Sequence, residues 1–401
     1  MVVLFYVFHL SLILFVAWRC WKNETTLRKV FWPALTLRMA AGVCLGLVYL
    51  YYYSTADTFA YFDDASKLAA LARTDFGAWI DAVFAARVPD SIHLTLYQPR
   101  ALFLTRITSV FSLVTSDEYW IIGAYFSAFS FASAWYLVKT IARYIPSVTA
   151  AAIVAFLFLP SVVFWTSGVL KEGLAVAALY YLSAFFLRLW SGEKPNVTRL
   201  LLAALSLWLL WNLKYYYAAI FIPVLLATVL YRLLFSGMRL RAAAEAVAWV
   251  ACLVIPAIAI TFLHPNFHPD RLMHVIVMNN AAYNAMSDPN GVVHFHNLRP
   301  VAVSLMENAP WALFSGLFRP LPWEAGGVMP LLAALENTAV IVLFVFALPQ
   351  LKKYVSSEWR LLILALAVYV IVLCVLLTFS APNFGTMSRY RVGYFSFFVF
   401  I

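Results

Sequence analysis

The chain has 401 residues, of which 64% are hydrophobic and 11% are charged, and its mean hydropathy is +0.86. A soluble domain is typically about 45–50% apolar and about 25% charged, so the composition excludes a soluble globular protein and indicates an all-α, polytopic integral membrane protein. The net charge of +10 needs no nucleic acid to explain it, because the basic residues gather in short loops between apolar runs.

The apolar runs locate the expected membrane spans. A transmembrane helix needs about 20 mostly apolar residues, and by this measure we expect about 11 transmembrane helices in a single transmembrane domain over 1–401. The runs lie at 2–18, 32–53, 118–138, 147–166, 169–187, 199–213, 216–231, 244–263, 331–350, 361–380 and 392–401. The last run is too short to cross alone, so either the final helix stops partway or the chain is cut before its natural end.

Five basic stretches set the expected orientation in the membrane. They lie at 19–29, 139–143, 188–199, 232–241 and 352–360. All five fall on the cytoplasmic side if the segment 101–115, which carries Arg106, is an interfacial or re-entrant helix and not a span. The amino terminus is then outside, as are the loops 54–117, 264–330 and 381–391. The small loops suggest a bacterial inner (plasma) membrane.

Two long apolar intervals contain isolated charges near their midpoints. Only Lys171 and Glu172 are charged in 144–187, and only Lys214 is charged in 200–231. Each interval is too long for one span and suits two. We therefore expect two hairpins with outer tips. The first tip lies at Ser167-Gly168 and the second at Asn212.

The first outer loop, 54–117, carries the candidate catalytic carboxylates. It holds seven of the chain's 18 acidic residues. Asp57 is the first candidate for a general base, because it lies nearest the membrane and begins the pattern D-x-x-x-Y that ends at Tyr61. Asp63 and Asp64 are secondary candidates, which would take the same role or hold a divalent cation through oxygen ligands. The alternative for each acid is an ordinary solvated side chain.

Basic residues outside the cytoplasmic loops are the candidate ligands of a phosphate. Arg389 and Arg391 are separated by one residue and would hold a phosphate through forked, charge-assisted hydrogen bonds. Lys171 and Lys214 are isolated basic residues in apolar surroundings. The alternative for these side chains is snorkelling to the interface. Glu172 is a second catalytic candidate, because ionisable residues at membrane depth are costly and usually functional.

The loop 264–330 contributes weaker candidates. Arg319 and Glu324, in the sequence RPLPWE, are secondary site candidates, with the alternative that Glu324 simply pairs with an arginine. The same loop contains five of the seven histidines, which are His264, His268, His274, His294 and His296. Their spacing fits many loops, so we predict no metal site from it.

These segments together carry a family resemblance. An acidic first outer loop, D-T-F-A-Y at 57–61, follows a span, and K-E at 171–172 marks a second outer tip. The segment S-R-Y-R-V-x-Y-F-x-F at 388–397 resembles the R-Y-R-x-P segment of many bacterial proteins, with Gly393 where proline is expected. In this layout the chain resembles the GT-C superfamily of polytopic membrane glycosyltransferases, although an extra span precedes the acidic loop.

The resemblance implies an inverting glycosyltransferase (EC 2.4 type). It would move a sugar from a polyprenyl-phosphate donor in the lipid bilayer to a glycan or lipid acceptor of the cell envelope, at the outer membrane face. Asp57 would activate the acceptor hydroxyl, and Glu172 would position the acceptor or a cation. The charge of the leaving lipid phosphate would be held by the four basic candidates, Lys171, Lys214, Arg389 and Arg391. No cofactor is required by this chemistry, and a divalent cation stays an open alternative.

Two other functions compete with this one. A polysaccharide polymerase or ligase, of the O-antigen or exopolysaccharide kind, would use the same outer arginines but a lipid-diphosphate donor. A transporter or flippase of a lipid-linked substrate would have ionisable residues near mid-membrane and corresponding halves. The charges identified above cluster at one edge, so we rank the transporter third.

Overall fold

The protein is helical throughout its described part. A computed structural model describes residues 2–53, 57–235, 238, 240–350 and 359–401. No β-strand is present among these residues, which confirms the predicted all-α class. Residues 54–56, at the start of the predicted acidic loop, and 351–358, most of the last basic stretch, lie outside the described residues.

The helices are numbered in chain order. They are α1 (Val2–Lys22), α2 (Arg28–Tyr51), α3 (Asp57–Thr74), α4 (Phe76–Phe84), α5 (Pro99–Thr115), α6 (Tyr119–Tyr144), α7 (Thr149–Ile153), α8 (Pro160–Trp165), α9 (Lys171–Trp190), α10 (Val197–Phe235), α11 (Ala242–Thr261), α12 (Pro269–Met286), α13 (Ala302–Phe318), α14 (Val328–Ala347), α15 (Arg360–Ser380), α16 (Phe384–Tyr390) and α17 (Phe395–Phe400). Eight of those described are long and apolar enough to cross a membrane: α1, α2, α6, α9, α10, α11, α14 and α15. The chain is therefore a multi-pass membrane protein.

Four of the predicted runs differ in form from single straight spans. The runs 199–213 and 216–231 are both contained in α10, which is 39 residues long. The run 147–166 is divided into short helical pieces, and 392–401 forms a short turn followed by α17. The remaining runs each correspond to one long helix, so the total of about 11 spans stays a prediction.

The run 147–166 is broken at Pro160. Between α7 and α8 the chain forms a π-helix over Val154–Phe158, and Leu159 is extended (φ −65°, ψ 113°). Proline disfavours helical backbone in the residue before it and lacks the N–H that would bond to the carbonyl four residues earlier. The Phe156 carbonyl therefore cannot accept a hydrogen bond from residue 160, because proline has no N–H.

Contacts divide the chain into two compact units, Met1–Tyr215 and Tyr216–Ile401. The first unit contains α1 to α9 and the first part of α10. Its core is formed by α6 packed on α9 and on α2, and α3 packs on α5. The predicted interfacial segment 101–115 is helical in α5, and the loop around it adds α3 and α4. The placement of these helices at a membrane surface stays a prediction.

The helices α9 and α10 run antiparallel in the first unit. Near the end of α9, the Glu193 carboxylate accepts hydrogen bonds from Arg188 (2.7 Å) and from Arg199 (2.5 Å) of α10. At the opposite end, Glu172 of α9 meets Lys214 of α10. The predicted tips at 171–172 and at 214 therefore lie at the same end of this unit.

The second unit contains the rest of α10 and α11 to α17. α15 packs against α12 and α13, and a small apolar core joins Ile276, Ala312 and Phe379 of these helices. The carboxy-terminal segment lies in the interior of this unit, with Val392, Gly393, Tyr394 and Phe395 buried. Tyr369 and Tyr394 anchor it, since their hydroxyls donate to the carbonyls of Gly393 (2.9 Å) and Gly316 (2.8 Å).

Candidate functional site

The first turn of α3 is attached to the turn that precedes α9. Thr58 is fully buried, and its hydroxyl donates to the Val169 carbonyl at 2.9 Å and shares a hydrogen bond of 2.9 Å with the Tyr119 hydroxyl. Asp57 immediately precedes Thr58 and begins α3. The first residues of the acidic segment are thus fixed beside the tip at 171–172, as the sequence predicts.

Lys171 and Tyr61 contact each other at this junction. The ammonium of Lys171 lies 5.2 Å from the centroid of the Tyr61 ring, within the range of a cation–π interaction. Tyr61 is buried one helical turn after Asp57, and Lys171 is half-buried as the first residue of α9. Because Asp57 and Tyr61 are four residues apart, they lie on one face of α3, and Tyr61 on this face meets Lys171.

Glu172 and Lys214 form a buried ion pair. Their Oε1 and Nζ atoms are 2.7 Å apart, and the side chains are 0% and 2% exposed. Glu172 lies in the first turn of α9, where the helix dipole favours a negative charge. Lys214 is the one non-helical residue inside α10 (φ −146°, ψ 64°). The predicted break in this interval is thus present two residues beyond Asn212, and it places the lysine against the glutamate.

Another fully buried charge, which the sequence analysis did not identify, contacts the turn before α9. Arg38 of α2 is 1% exposed and donates from Nη1 to Ser130 Oγ (2.7 Å) and to Thr166 Oγ1, and from Nη2 to the Phe156 carbonyl (3.2 Å). Thr166 belongs to the turn before α9. The sequence feature that could have identified it is an arginine ten positions inside a 24-residue, largely apolar helix.

The adjacent acids Asp63 and Asp64 differ in environment. The Asp64 carboxylate is buried and accepts hydrogen bonds from the backbone N–H groups of Thr95 (2.9 and 2.8 Å) and Leu96 (2.9 Å) and from Lys67 (3.0 Å). These bonds hold the segment before α5, which is a structural role. Asp63 is exposed, although partial desolvation raises the pKa of its carboxyl, and the charge of Asp64 adds to this shift. Because the Asp64 oxygens are occupied, the pair is a poor cation site.

Arg391 is enclosed in the second unit and is not at an exposed helix end. It is 0% exposed, Nη1 donates to Asn337 Oδ1 at 2.6 Å, and Nη2 lies 3.5 Å from Glu336 Oε2. Its guanidinium also lies 4.0 Å from the centroid of the Phe395 ring. These contacts differ from the accessible phosphate ligand expected from the sequence, because a phosphate would have to displace existing partners. Arg389, in the last turn of α16, is half-buried.

Arg319 and Glu324 pair with each other, as the alternative interpretation of this loop expects. Arg319 Nε donates to both carboxylate oxygens of Glu324 (2.8 and 3.1 Å), and its Nη2 contacts Oε1. Burial raises the pKa of Glu324, but the hydrogen bonds from Arg319 and from the Leu321 N–H outweigh it, so the net pKa is lowered. This pair braces the connection between α13 and α14, and it is a structural feature of the second unit.

The histidines of the loop 264–330 have local roles. The His264 Nδ1 accepts from the Asn266 N–H (3.1 Å), and His294 Nε2 contacts the Pro289 carbonyl (2.9 Å). Within the described ranges, no group of three or more His, Cys, Asp or Glu side chains is arranged to hold a metal ion.

An apolar cavity adjoins the site in the first unit. It has a volume of about 350 Å³ and lies between α1, α2 and α6. Tyr119, whose hydroxyl bonds to Thr58, forms part of its wall, as do Gly42, Gly123 and Ser127. A Cβ at Gly42 would be 3.3 Å from the Gly168 backbone nitrogen, so this wall of the cavity packs closely against the turn before α9. It is suited to a hydrocarbon chain.

Comparisons of this chain with protein-family models, with curated proteins and with solved structures find no match. The function is therefore argued from the site itself.

Proposed function

We propose that this chain is an inverting membrane glycosyltransferase that uses a polyprenyl-phosphate sugar as donor. The observation that carries the proposal is the meeting of three features at one end of the first unit. These are the start of α3 with Asp57, the half-buried Lys171, and the buried pair of Glu172 with Lys214. Buried ionisable residues among membrane-spanning helices are costly and usually functional.

Asp57 is the proposed general base. Its carboxylate accepts the proton of an acceptor hydroxyl as the oxygen attacks the anomeric carbon, and the bond from that carbon to the phosphate oxygen breaks on the opposite face. The leaving lipid phosphate carries its own negative charge and needs no strong acid. It needs a cation in a site of low dielectric constant, and Lys171 at the start of α9 fits this role, assisted by the positive end of the helix dipole.

The ion pair changes the roles that the sequence analysis gave to Glu172 and Lys214. Because Lys214 Nζ is 2.7 Å from the Glu172 carboxylate, the charges of the two side chains largely compensate each other. We therefore assign Lys214 to orienting Glu172, and Glu172 to positioning the acceptor. Arg389 and Arg391 stay candidates for the lipid phosphate, at the cost of the contacts that Arg391 makes with Glu336 and Asn337.

The donor's prenyl chain would occupy the apolar cavity between α1, α2 and α6. The cavity is bordered by Tyr119 and by the glycines of α2 and α6 that approach the turn before α9. A chain seated there would have its phosphate end near Lys171. The acceptor would be a glycan or a lipid of the cell envelope, at the outer face of a bacterial inner membrane.

The test is sugar transfer in detergent from a panel of labelled polyprenyl-phosphate sugars, with wild type beside Asp57→Asn. We expect wild type to transfer and Asp57→Asn to lose about 10²–10⁴-fold in kcat while it still binds the donor. Asp81→Asn is the matched control, since Asp81 is an exposed aspartate of α4 in the same loop and is not a site candidate, and this variant should keep its activity.

Other outcomes would redirect the proposal. Chain growth from a diphosphate-linked oligosaccharide, with no transfer from any monophosphate donor, would favour the polymerase. Equal activity of wild type and Asp57→Asn would remove Asp57 as the base.

A transporter of a lipid-linked substrate, ranked third from the sequence alone, has two structural features in its favour. Arg38 lies well inside α2, and the chain between α7 and α8 is broken at membrane depth, as in transporters that bind substrates at discontinuous helices. Movement of a labelled lipid-linked sugar across vesicles, without any sugar transfer, would favour this function.

A further inference from the structure

The contacts of Arg38 carry an inference about how the site is held in place. Arg38 is the eleventh residue of α2, which is 24 residues long, and its guanidinium donates to two hydroxyl oxygens and one backbone carbonyl. A charged side chain at this depth costs several kcal/mol unless polar groups replace its hydration. The polar groups that do so come from α6, from the π-helix before Pro160 and from the turn before α9.

The broken segment explains why an arginine suits this position. Pro160 cannot donate to the Phe156 carbonyl, and Arg38 Nη2 fills that acceptor at 3.2 Å. Nη1 of the same guanidinium reaches Ser130 and Thr166. The planar guanidinium thus bridges both sides of the break through two of its nitrogens. A lysine ammonium has a single nitrogen and cannot reproduce this arrangement of donors.

The same turn is fixed from a second direction. The Gly168 N–H donates to Ser127 Oγ at 3.0 Å, and Thr166 also donates from its hydroxyl to the Val162 carbonyl at 2.6 Å. A Cβ at Gly173, in the first turn of α9, would lie 3.0 Å from the Thr166 carbonyl oxygen. The Thr166 backbone is therefore packed closely against the first turn of α9, where Lys171 and Glu172 lie.

We propose that Arg38 is a positioning residue, which fixes the turn 166–170 and thereby sets the location of Lys171 and Glu172 relative to Asp57. The part of this inference that concerns catalysis rests on the proposed transferase function. The part that concerns the placement of Lys171 does not. Arg38 is almost fully buried, and its role would be to hold the phosphate-binding lysine at the distance that the reaction needs.

The kinetic test compares Arg38→Lys and Thr166→Val with wild type. Thr140→Val is the matched control, because Thr140 is also buried and its hydroxyl makes only a local bond within α6, to the Tyr136 carbonyl. We expect Arg38→Lys to lower kcat by about 10–100-fold with KM changed by no more than about twofold, and Thr166→Val to act in the same direction. Thr140→Val should leave both constants unchanged.

A second measurement does not depend on catalysis. The rate at which an amine-reactive reagent labels Lys171 is measured by mass spectrometry, with the exposed Lys194 as internal reference. If Arg38 positions the turn, folded Arg38→Lys and Thr166→Val should each change Lys171 labelling severalfold without changing Lys194. This readout decides the placement of Lys171 even if wild type transfers no sugar.

Two results would overturn the inference. One is unchanged Lys171 labelling in both variants when they elute as folded monodisperse protein. The other is an equal loss of kcat in Thr166→Val and Thr140→Val, which would mean that any buried threonine of this region acts through general stability.

Discussion

At the scale of single residues, the pairing of Glu172 with Lys214 has the largest energetic consequence. Two charges of opposite sign, both almost fully buried, are separated by 2.7 Å. Such a pair contributes little net stability relative to apolar residues, because desolvation opposes the attraction, but breaking it leaves one uncompensated buried charge. The pair is therefore costly to break on one side only.

The prediction is a non-additive pair of substitutions. Glu172→Gln and Lys214→Met should each lower the free energy of unfolding by about 3–5 kcal/mol, and the double variant should recover a large part of that loss. The measurement is thermal or denaturant unfolding in detergent. Asp117→Asn is the control: it removes a pair with Arg73 (2.6 Å) in which the side chains are 26% and 47% exposed, so the loss should stay below about 1 kcal/mol.

If the double variant proved no more stable than either single variant, the two side chains would not act as a unit. The assignment of Lys214 to orienting Glu172 would then be wrong.

The residue scale also shows what sequence pattern can and cannot identify. Isolated charges in apolar intervals are visible in the sequence, and the structure brings Lys171, Glu172 and Lys214 to one end of the first unit. Asp63 and Asp64 look alike in the sequence, however. Only the folded chain reveals that Asp64 receives the N–H groups of Thr95 and Leu96, about 30 positions later. Partners so distant leave no local signal.

At the scale of elements, the turn between α8 and α9 depends on one glycine. Gly168 has a left-handed backbone (φ +66°), and a Cβ there would lie 2.8 Å from Leu45 Cδ2 and 3.4 Å from the Gly42 carbonyl oxygen. Gly192, between α9 and α10, is also left-handed (φ +85°) but has open space around it. Comparing alanine substitutions at the two glycines therefore separates the cost of backbone strain from the cost of steric overlap.

We expect Gly168→Ala to be clearly more destabilising than Gly192→Ala. Both variants carry the cost of a left-handed L-residue, about 1–2 kcal/mol, and only Gly168→Ala adds the contact with Leu45. Melting temperatures measured side by side in one detergent give the comparison. Equal losses would mean that Leu45 moves aside freely and that α2 does not press on the turn.

The turn before α9 also shows which helix breaks could be predicted from the sequence and which could not. The Ser-Gly pair before Lys171 correctly predicted a break, since glycine is favoured where φ is positive. The second predicted break lies at Lys214, and Asn212 is helical. Lysine has no backbone signature for a kink, so the position could not be predicted. The π-helix before Pro160 likewise depends on Arg38, which fills the freed Phe156 carbonyl from another helix.

At the scale of the whole molecule, composition alone identified the class, and the eight long apolar helices agree with it. The orientation in the membrane rests on the basic stretches. Within the first unit, one end holds the network of Glu193 with Arg188 and Arg199, and the other holds Lys171 and the start of α3. The positive-inside rule predicts that the first end is cytoplasmic and the second is outside.

Cysteine labelling tests this orientation. Asp90→Cys and Lys194→Cys place reporters at two exposed positions, one between α4 and α5 and one between α9 and α10. Each is made in a background without the native cysteines, which are Cys20, Cys44, Cys252 and Cys374. A membrane-impermeant maleimide should label Asp90→Cys in intact cells and Lys194→Cys only after lysis, and a tag at the amino terminus should be accessible in intact cells.

The proposed chemistry depends on this result, because a base at Asp57 can serve an envelope acceptor only if the start of α3 faces outward. The reversed pattern, with Lys194→Cys labelled first, would place the site in the cytoplasm and point to an acceptor made there. Labelling of both reporters from one side would have a different meaning. It would mean that an even number of segments cross the membrane between the two reporters, as when α6 and α9 cross but the broken segment through Pro160 does not.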